Sequence, residues 1–482
     1  MKQIVISIIF ISTVLGLNAQ SPKQEIRAVW LTSIYGLDWP DKPFQDTYDI
    51  NDQQEALIDI LDKLEAAHFN MVFLQTRLRG DVIYNSNIEP VSPYVQGVKN
   101  TWSKYDALAF AVAECHKRGL ECHAWFVTYP LTNTLTVKQH QDNVQRSGKE
   151  FYMDPGDPET NTYLVSLIEE IVDRYDIDGI HLDYIRYPDN ANAFQDQATY
   201  RRYGKGLTKS EWRRENINRF VYQVYDEVKS RKPWVQVSSS VFGMYDKIEG
   251  KKRNHATATG VYQDPEKWLQ EGKQDFIVPM MYHSGDLFFP FLRDWQTRSH
   301  GRWIVPGLGV YRIDEKEGNW SVDQIEEQIQ YTRNHQMKGN VFFRARYLMN
   351  NKKGVLDAIT NHFYRHPAVL PPLTWLSNAV PEPPRNVEAM VSGEYMFLRW
   401  DPVASETSGS IFYNVYRSES WPVDTGNSNY LIAARVPDRM LFVPLNNAQE
   451  SGYYYAVTSS DRYHNESRIS EPVYFVMGPF EK

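Results

Sequence analysis

The chain has 482 residues, which at about 150 residues per domain allows several domains, or one large barrel with a smaller companion. Apolar residues make up 42% and charged residues 23%, enough for sizeable cores, and this excludes a disordered or collagen-like chain. Lys+Arg 52 against Asp+Glu 60 gives a net charge of −8, so there is no basic field to gather phosphate backbones and nucleic acid is not an expected partner. Aromatics reach 14%, rings that fill cores and that also stack on flat, hydroxyl-rich ligands such as sugars.

The first residues, MKQIVISIIFISTVLGLNAQ, place Lys2 before an apolar stretch from Ile4 to Leu17 and a small residue, Ala19, at a cleavage point. That pattern predicts a signal peptide over 1–19 and a mature protein secreted across the inner membrane, periplasmic or extracellular. The stretch is shorter than the ~20 residues a membrane helix needs, and no later segment is long and apolar enough, so no membrane span is expected. Cys115 and Cys122 are the only cysteines; they form no disulfide framework and are expected as two buried thiols.

Short apolar runs then alternate with longer amphipathic stretches. The runs at 26–33, 70–76, 121–127, 179–184, 235–240, 276–282, 303–310 and 339–345 predict eight strands. Helical patterns fall at about 52–67, 104–118, 160–174, 210–230, 264–271, 287–299, 321–336 and 354–364, several opening on a capping Asp, Asn or Ser. Eight alternations predict an α/β fold, a (β/α)8 TIM-type barrel over 25–365. An open doubly wound sheet is the other arrangement, but the Gly-rich phosphate loop expected after its first strand is missing. Pro-rich 366–380 reads as a docked linker. Over 381–482 short alternating strands separated by Gly, Pro, Asn and Ser predict a small all-β, immunoglobulin-like sandwich. Its runs PEPPRNVEA, LRWDP, YNVYRS and YYYAVTSSDRYHNES resemble a fibronectin type III domain, with Trp400 and Tyr455 at core spacings. It carries no catalytic constellation. It is expected to space the barrel or to contact a glycan or another protein, and its removal is expected to leave cleavage of soluble substrates intact.

In barrel enzymes chemistry gathers where the strands end. The fourth strand, DGIHLDYIRYP, turns His181 and Asp183 inward, and a carboxylate inside an apolar barrel is costly without partners, so Asp183 is the leading catalytic candidate. Arg186 follows it as a partner, and His181 is either a core histidine or a substrate contact. The second strand ends in QTRLRGD, bringing Arg77, Arg79 and Asp81 to the rim around a turn at Gly80. His123 and Trp125 alternate on the third strand, Tyr282 ends the sixth, Asp38 and Trp39 follow the first, and Arg344 and Arg346 follow the eighth.

These segments, with EIRAVWLTSIYGLDWP, AECHKRGLECHAWF, MDPGDPE, WRRENINRFV, EKWLQEGKQDFIVPMMY and FYRHPAVLPPLTWL, resemble the glycoside-hydrolase-like family ten in order along nearly every strand-helix unit. The resemblance implies a secreted glycosidase acting on a bacterial polysaccharide, with cell-wall glycan strands as the linked substrate class. Many members carry two consecutive aspartates where this chain has Asp183 and Tyr184, so only the first is carried over. The fourth strand is also similar to the chitinase signature, but His181 and Ile185 stand where that pattern has an aspartate and its acidic glutamate.

Glycoside cleavage needs two carboxyl groups. Asp183 is assigned as acid or as nucleophile and stabiliser, Asp81 as the second, and Asp38, Asp286 and Asp314 as reserves. Arg77, Arg79 and Arg186 would hold these groups or grip an acidic substituent; Trp30, Trp39, Trp125 and Tyr282 would stack on sugar rings. No cofactor or metal is expected. Two alternatives are a glycan-binding protein without catalysis and a metal-dependent deacetylase using His123, His181 and Asp183.

Overall fold

The computed structural model describes residues 21–41, 50–96, 105–148, 150–248, 257–405, 409–444 and 452–476; the segment read as a signal peptide lies outside them. Eight parallel strands form the barrel: β1 (Ile26–Leu31), β2 (Met71–Arg77), β3 (Glu121–Val127), β4 (Gly179–Asp183), β5 (Gln236–Phe242), β6 (Phe276–Met280), β7 and β8 (Gly339–Phe342). The seventh stave, β7, is two short pieces, Trp303–Ile304 and Gly307–Leu308, interrupted at Pro306, which has no N–H for the ladder. Pairing runs in sequence order, and β8 returns to β1 through Ile26 and Gly339, so the sheet closes.

Among the described residues, one main helix after each strand sits outside it: α1 (Ile50–Ala66), α2 (Ala107–Lys117), α3 (Pro158–Arg174), α4 (Lys209–Arg231), α5 (Pro265–Gln270), α6 (Phe289–Thr297), α7 (Val322–Asn334) and α8 (Val355–Ala358), with shorter helices in the loops. Their starts follow from capping chemistry. The Asp106 carboxylate accepts from Ala109 N at 3.0 Å, Pro158 opens α3 behind Asp157, and Thr208 with Glu211 closes a reciprocal capping box on α4. A small antiparallel sheet after β3 (Pro130–Leu131, Val144–Ser147, Glu150–Met153) is absent from the sequence reading, because its strands are too short to show a period.

Side chains alternate. One set packs under the helices; the other, including Ile26, Ala28, Trp30, Met71, Phe73, Phe276 and Val278, fills the barrel. Leu370 and Leu373 from the linker and Tyr463 from the C-terminal domain join that inner cluster and close the floor. The C-terminal part is two antiparallel sheets, three-stranded (Glu388–Ser392, Tyr395–Arg399, Met440–Pro444) and four-stranded (Leu431–Val436, Phe412–Ser418, Tyr453–Ser460, Val473–Phe475). Trp400, Tyr413, Val415, Tyr455 and Val457 lie in its core.

This domain plugs the N-terminal face of the barrel with charge. Glu121, at the foot of β3, accepts from His464 at 2.7 Å and from Gln236 at 2.8 Å, with Arg435 3.5 Å away. Arg435 also meets Asp178 at 2.6 Å, and Arg462 meets Asp176 at 2.5 Å. Burial alone would push the Glu121 carboxyl up, yet His464 and Arg435 hold it well below its ordinary value. Asp178 follows the same logic, with Arg435 and His116 overcoming burial. Cys115 and Cys122 are buried and unbridged.

Candidate active site

Asp183 ends β4 on its inward side and is 8% exposed. Its two oxygens are held from three directions. Trp125 Nε1 donates to Oδ2 at 3.1 Å, while Tyr184 N, at 2.7 Å, and the Ser240 hydroxyl donate to Oδ1. Thr128 fixes the Asp183 carbonyl through its N, at 3.0 Å, and its hydroxyl, at 2.9 Å. Two of the carboxylate's donors, an indole N–H and a backbone N–H, can only donate, so the carboxylate is fixed in direction and keeps its remaining lone pairs for the cup. Tyr282 stands nearby; burial first, and then the Asp183 charge, push its phenol well above the usual range.

Beneath Asp183 lies a packed layer. His181 stacks on Phe73 at 4.1 Å between centroids, accepts from Trp30 Nε1 at 3.1 Å through Nε2, and therefore carries its proton on Nδ1, which donates to Ser238 at 2.9 Å. Burial, with His123 adding to it, lowers the imidazole far below its usual range, so it is neutral. His123 sits one layer lower, 0% exposed, bonded to Glu121 at 3.0 Å. Gly179 makes room for it: a Cβ there would stand 2.2 Å from His123 Nδ1. Trp30, His123 and His181 thus form the barrel's interior beneath the open face. Both ring nitrogens of His181 are engaged, and among the described residues no three His, Cys, Asp or Glu gather as a metal site.

The rim is more divided than the sequence implies. Gly80, at φ +92°, makes the expected turn. Arg77 is fully buried: it forks onto Glu89 at 2.6 and 3.0 Å, with the Val127 and Thr128 carbonyls as further acceptors, and so braces β2 to β3 rather than facing the cup. Arg79 does reach the rim, where it pairs with Glu150 and stands over the Tyr184 ring. Burial, then the neighbouring Glu89 charge, push the Asp81 carboxyl up to about 6. Asp38 locks the two ends of the barrel together, accepting from Arg344 at 2.9 Å, Arg346 N at 3.0 Å and Thr32 N at 2.8 Å. Trp39 is sealed, its indole donating to the Gln53 carbonyl at 2.8 Å. Tyr282 lies on Phe343, 5.4 Å between centroids, with Tyr311 edge-on at 5.6 Å. Arg186 stands over Tyr184 and Phe242 and pairs with Asp189. Of the reserves, Asp314 pairs with Lys352 at 3.3 Å and Asp286 is exposed on a loop.

Asp183, Trp125, Arg79, Arg186 and Tyr282 therefore come together; Arg77, Asp38, Trp39, Trp30, His123 and His181 serve the frame around them. Ser240, Tyr184 and Phe343 belong to the site without standing out in the sequence as site residues. Ser238 and Ser240, at alternate positions of an otherwise apolar strand, were the available signal: inward hydroxyls in a barrel need partners.

A closed barrel with a held carboxylate at the C-terminal end of β4 and aromatic rings around it defines the class: a (β/α)8 barrel built as glycoside hydrolases are. Residues 25–290 match the family model described as Glycosyl hydrolase-like 10, and the chain belongs to that family. It is 32% identical over 502 residues to glycosyl hydrolase YngK of Bacillus subtilis (strain 168), covering 97% of this chain and 96% of that one. Glycosyl hydrolase DigH of Escherichia coli (strain K12) is 29% identical over 391 residues, 71% of this chain and 88% of that one. Among solved structures, the glycoside hydrolase domain of PgaB (BpsB) from Bordetella bronchiseptica shares the fold, with a TM-score of 0.52 at 13% identity over 70% of this chain and 98% of that one. By this kinship the chain is a glycosidase.

Proposed function

We propose that this protein is a secreted glycosidase that cleaves a bacterial polysaccharide, peptidoglycan glycan strands or another polymer of 2-acetamido sugars, at the C-terminal face of its barrel. The observation that carries the reading is Asp183: a carboxylate directed into the cup by Trp125, Ser240 and Tyr184 N. A carboxylate so fixed suits orientation of the acetamido group, or direct attack, more than proton donation. Asp81, raised to about 6, retains a proton in mildly acidic solution and is the proposed acid. In the substrate-assisted form the acetamido oxygen attacks the anomeric carbon, the glycosidic C–O bond breaks, and the Asp81 proton passes to the leaving oxygen. Water then opens the ring intermediate and returns a proton to Asp81.

One observation favours the non-catalytic, glycan-binding alternative: the charges acting most strongly on Asp81 are Glu89 and Arg77 rather than Asp183. Incubation of the mature protein with peptidoglycan strands, chitin oligomers and neutral β-glucans, followed by mass identification of products, separates the two. New reducing ends from an acetamido polymer support hydrolysis; strands bound but left intact support the alternative.

The C-terminal domain is proposed to be fibronectin type III-like, a reading supported by three strands facing four and by a Trp400–Tyr413 contact of 5.2 Å in its core. Secretion rests on the signal pattern of residues 1–19. N-terminal sequencing of exported protein is expected to begin after Ala19.

A further inference from the structure

We propose that the Tyr184 hydroxyl is a further substrate-contacting group of this cup, donating a hydrogen bond to an oxygen of the sugar that Asp183 faces; this rests on the hydrolytic reading above. Tyr184 follows Asp183 directly and sits at φ +54°. A bulky residue in the left-handed region is strained, and such residues persist where surrounding structure holds them and concentrate at functional sites. Its surroundings do hold it. The Arg79 guanidinium lies 5.4 Å from the ring centroid and the Arg186 guanidinium 4.8 Å, and Arg186 lies in turn 4.4 Å from the Phe242 centroid. The loops after β2 and β4 thus meet around one tyrosine ring, with the end of β5 behind Arg186.

Phenylalanine would stack as well, so the hydroxyl is the part this stack does not explain. Arg79 Nη2 donates to it over a long 3.5 Å, which engages a lone pair and leaves the phenol's own proton to be given elsewhere. The oxygen is close enough to Tyr152, on the small sheet after β3, and to Tyr282, after β6, to add to the burial that raises both of their phenols. Tyr184 is partly exposed, and its backbone N–H orients the Asp183 carboxylate. One residue therefore aims the carboxylate with its backbone and carries, on a side chain held by Arg79 and Arg186, a hydroxyl that can donate. The acceptor is a sugar oxygen, either a ring hydroxyl or the carbonyl of an acetamido group.

The test is Tyr184→Phe in the full-length mature protein, assayed for cleavage of each glycan the wild type cleaves and for binding of its N-acetylated and de-N-acetylated oligomers. The hydroxyl's role predicts an unchanged Tm and pH profile with kcat/KM about tenfold lower, the upper end for one neutral hydrogen bond. Affinity lost only for acetylated oligomers identifies the carbonyl as acceptor; equal loss of affinity for both identifies a hydroxyl. Tyr184→Asn, which tolerates positive φ but removes the ring, is expected to fold and to lose more activity than Tyr184→Phe. A Tyr184→Phe enzyme within twofold of wild type on every cleaved glycan overturns this role and leaves the hydrolytic reading standing. A wild type inactive on all of the glycans overturns both.

Discussion

The two carboxyl groups proposed for the chemistry stand in different environments. Asp183 is met by three donors, whereas Asp81 is half-buried, and desolvation with the neighbouring Glu89 charge pushes its carboxyl up to about 6. If Asp81 is the acid, activity is lost as pH rises through about 6, and Asp81→Asn abolishes that descending limb together with turnover, as a kcat profile between pH 4 and 8 would show. The same shift has a sign for stability. The folded state holds this proton above the ordinary value of 3.8, so Asp81 weakens the fold as pH climbs from about 4 to 6, and the penalty is complete above 6. Asp81→Asn should therefore raise Tm at pH 7.5 and change it little at pH 4. Ser240→Ala removes one of the Asp183 donors and is expected to lower kcat with little effect on KM. Much of this was legible: alternation along DGIHLDY turns Asp183 inward and the strand's end puts it at the rim. What alternation does not report is depth or partner. His181 and His123 share a face with Asp183 and Trp125, yet sit in lower layers, and nothing near Arg77 in sequence announces Glu89 twelve residues on.

At the scale of elements, all eight strands and eight helices stand close to where their hydrophobic periods put them, because strands buried on both faces read as apolar runs and several helix starts carry their own caps. The rim loops were less readable, since their conformation depends on distant contacts. The Arg77–Glu89 pair is the plainest case: a guanidinium and a carboxylate, both side chains fully buried, join the end of β2 to the loop that follows. Glu89→Gln leaves a buried guanidinium without its counter-charge and is expected to cost about 3–5 kcal/mol in urea unfolding. A loss under 1 kcal/mol would mean that Arg77 is free to serve the cup. Thr208→Ala, which opens the capping box of α4, should cost only about 1 kcal/mol.

For the whole molecule, the junction changes what the C-terminal domain is for. Composition and strand pattern allow a detachable spacer, but Arg435, Arg462 and His464 balance carboxylates of the barrel floor, and Tyr463 fills its inner cluster. The sequence could not show this, because the pairs join residues more than 250 positions apart. Removing 381–482 would bare Glu121 and Asp178 and open the barrel floor, so the expectation that the barrel survives alone is reversed. The truncated chain should be insoluble or should lack a cooperative thermal transition. Glu121 and Asp178 contribute stability above the ordinary carboxylate range that is lost as pH falls below it. Arg435→Met should therefore move the acid-unfolding midpoint upward.

The most direct measurement compares wild type with Asp183→Asn for release of reducing ends from purified glycan strands, with Tm recorded for both. Cleavage is expected from wild type and none from the variant, which keeps the shape of the side chain and stays folded with a lower Tm, because its amide nitrogen must face either the Trp125 indole N–H or Tyr184 N. Full activity in a folded Asp183→Asn protein would contradict the assignment of chemistry to β4.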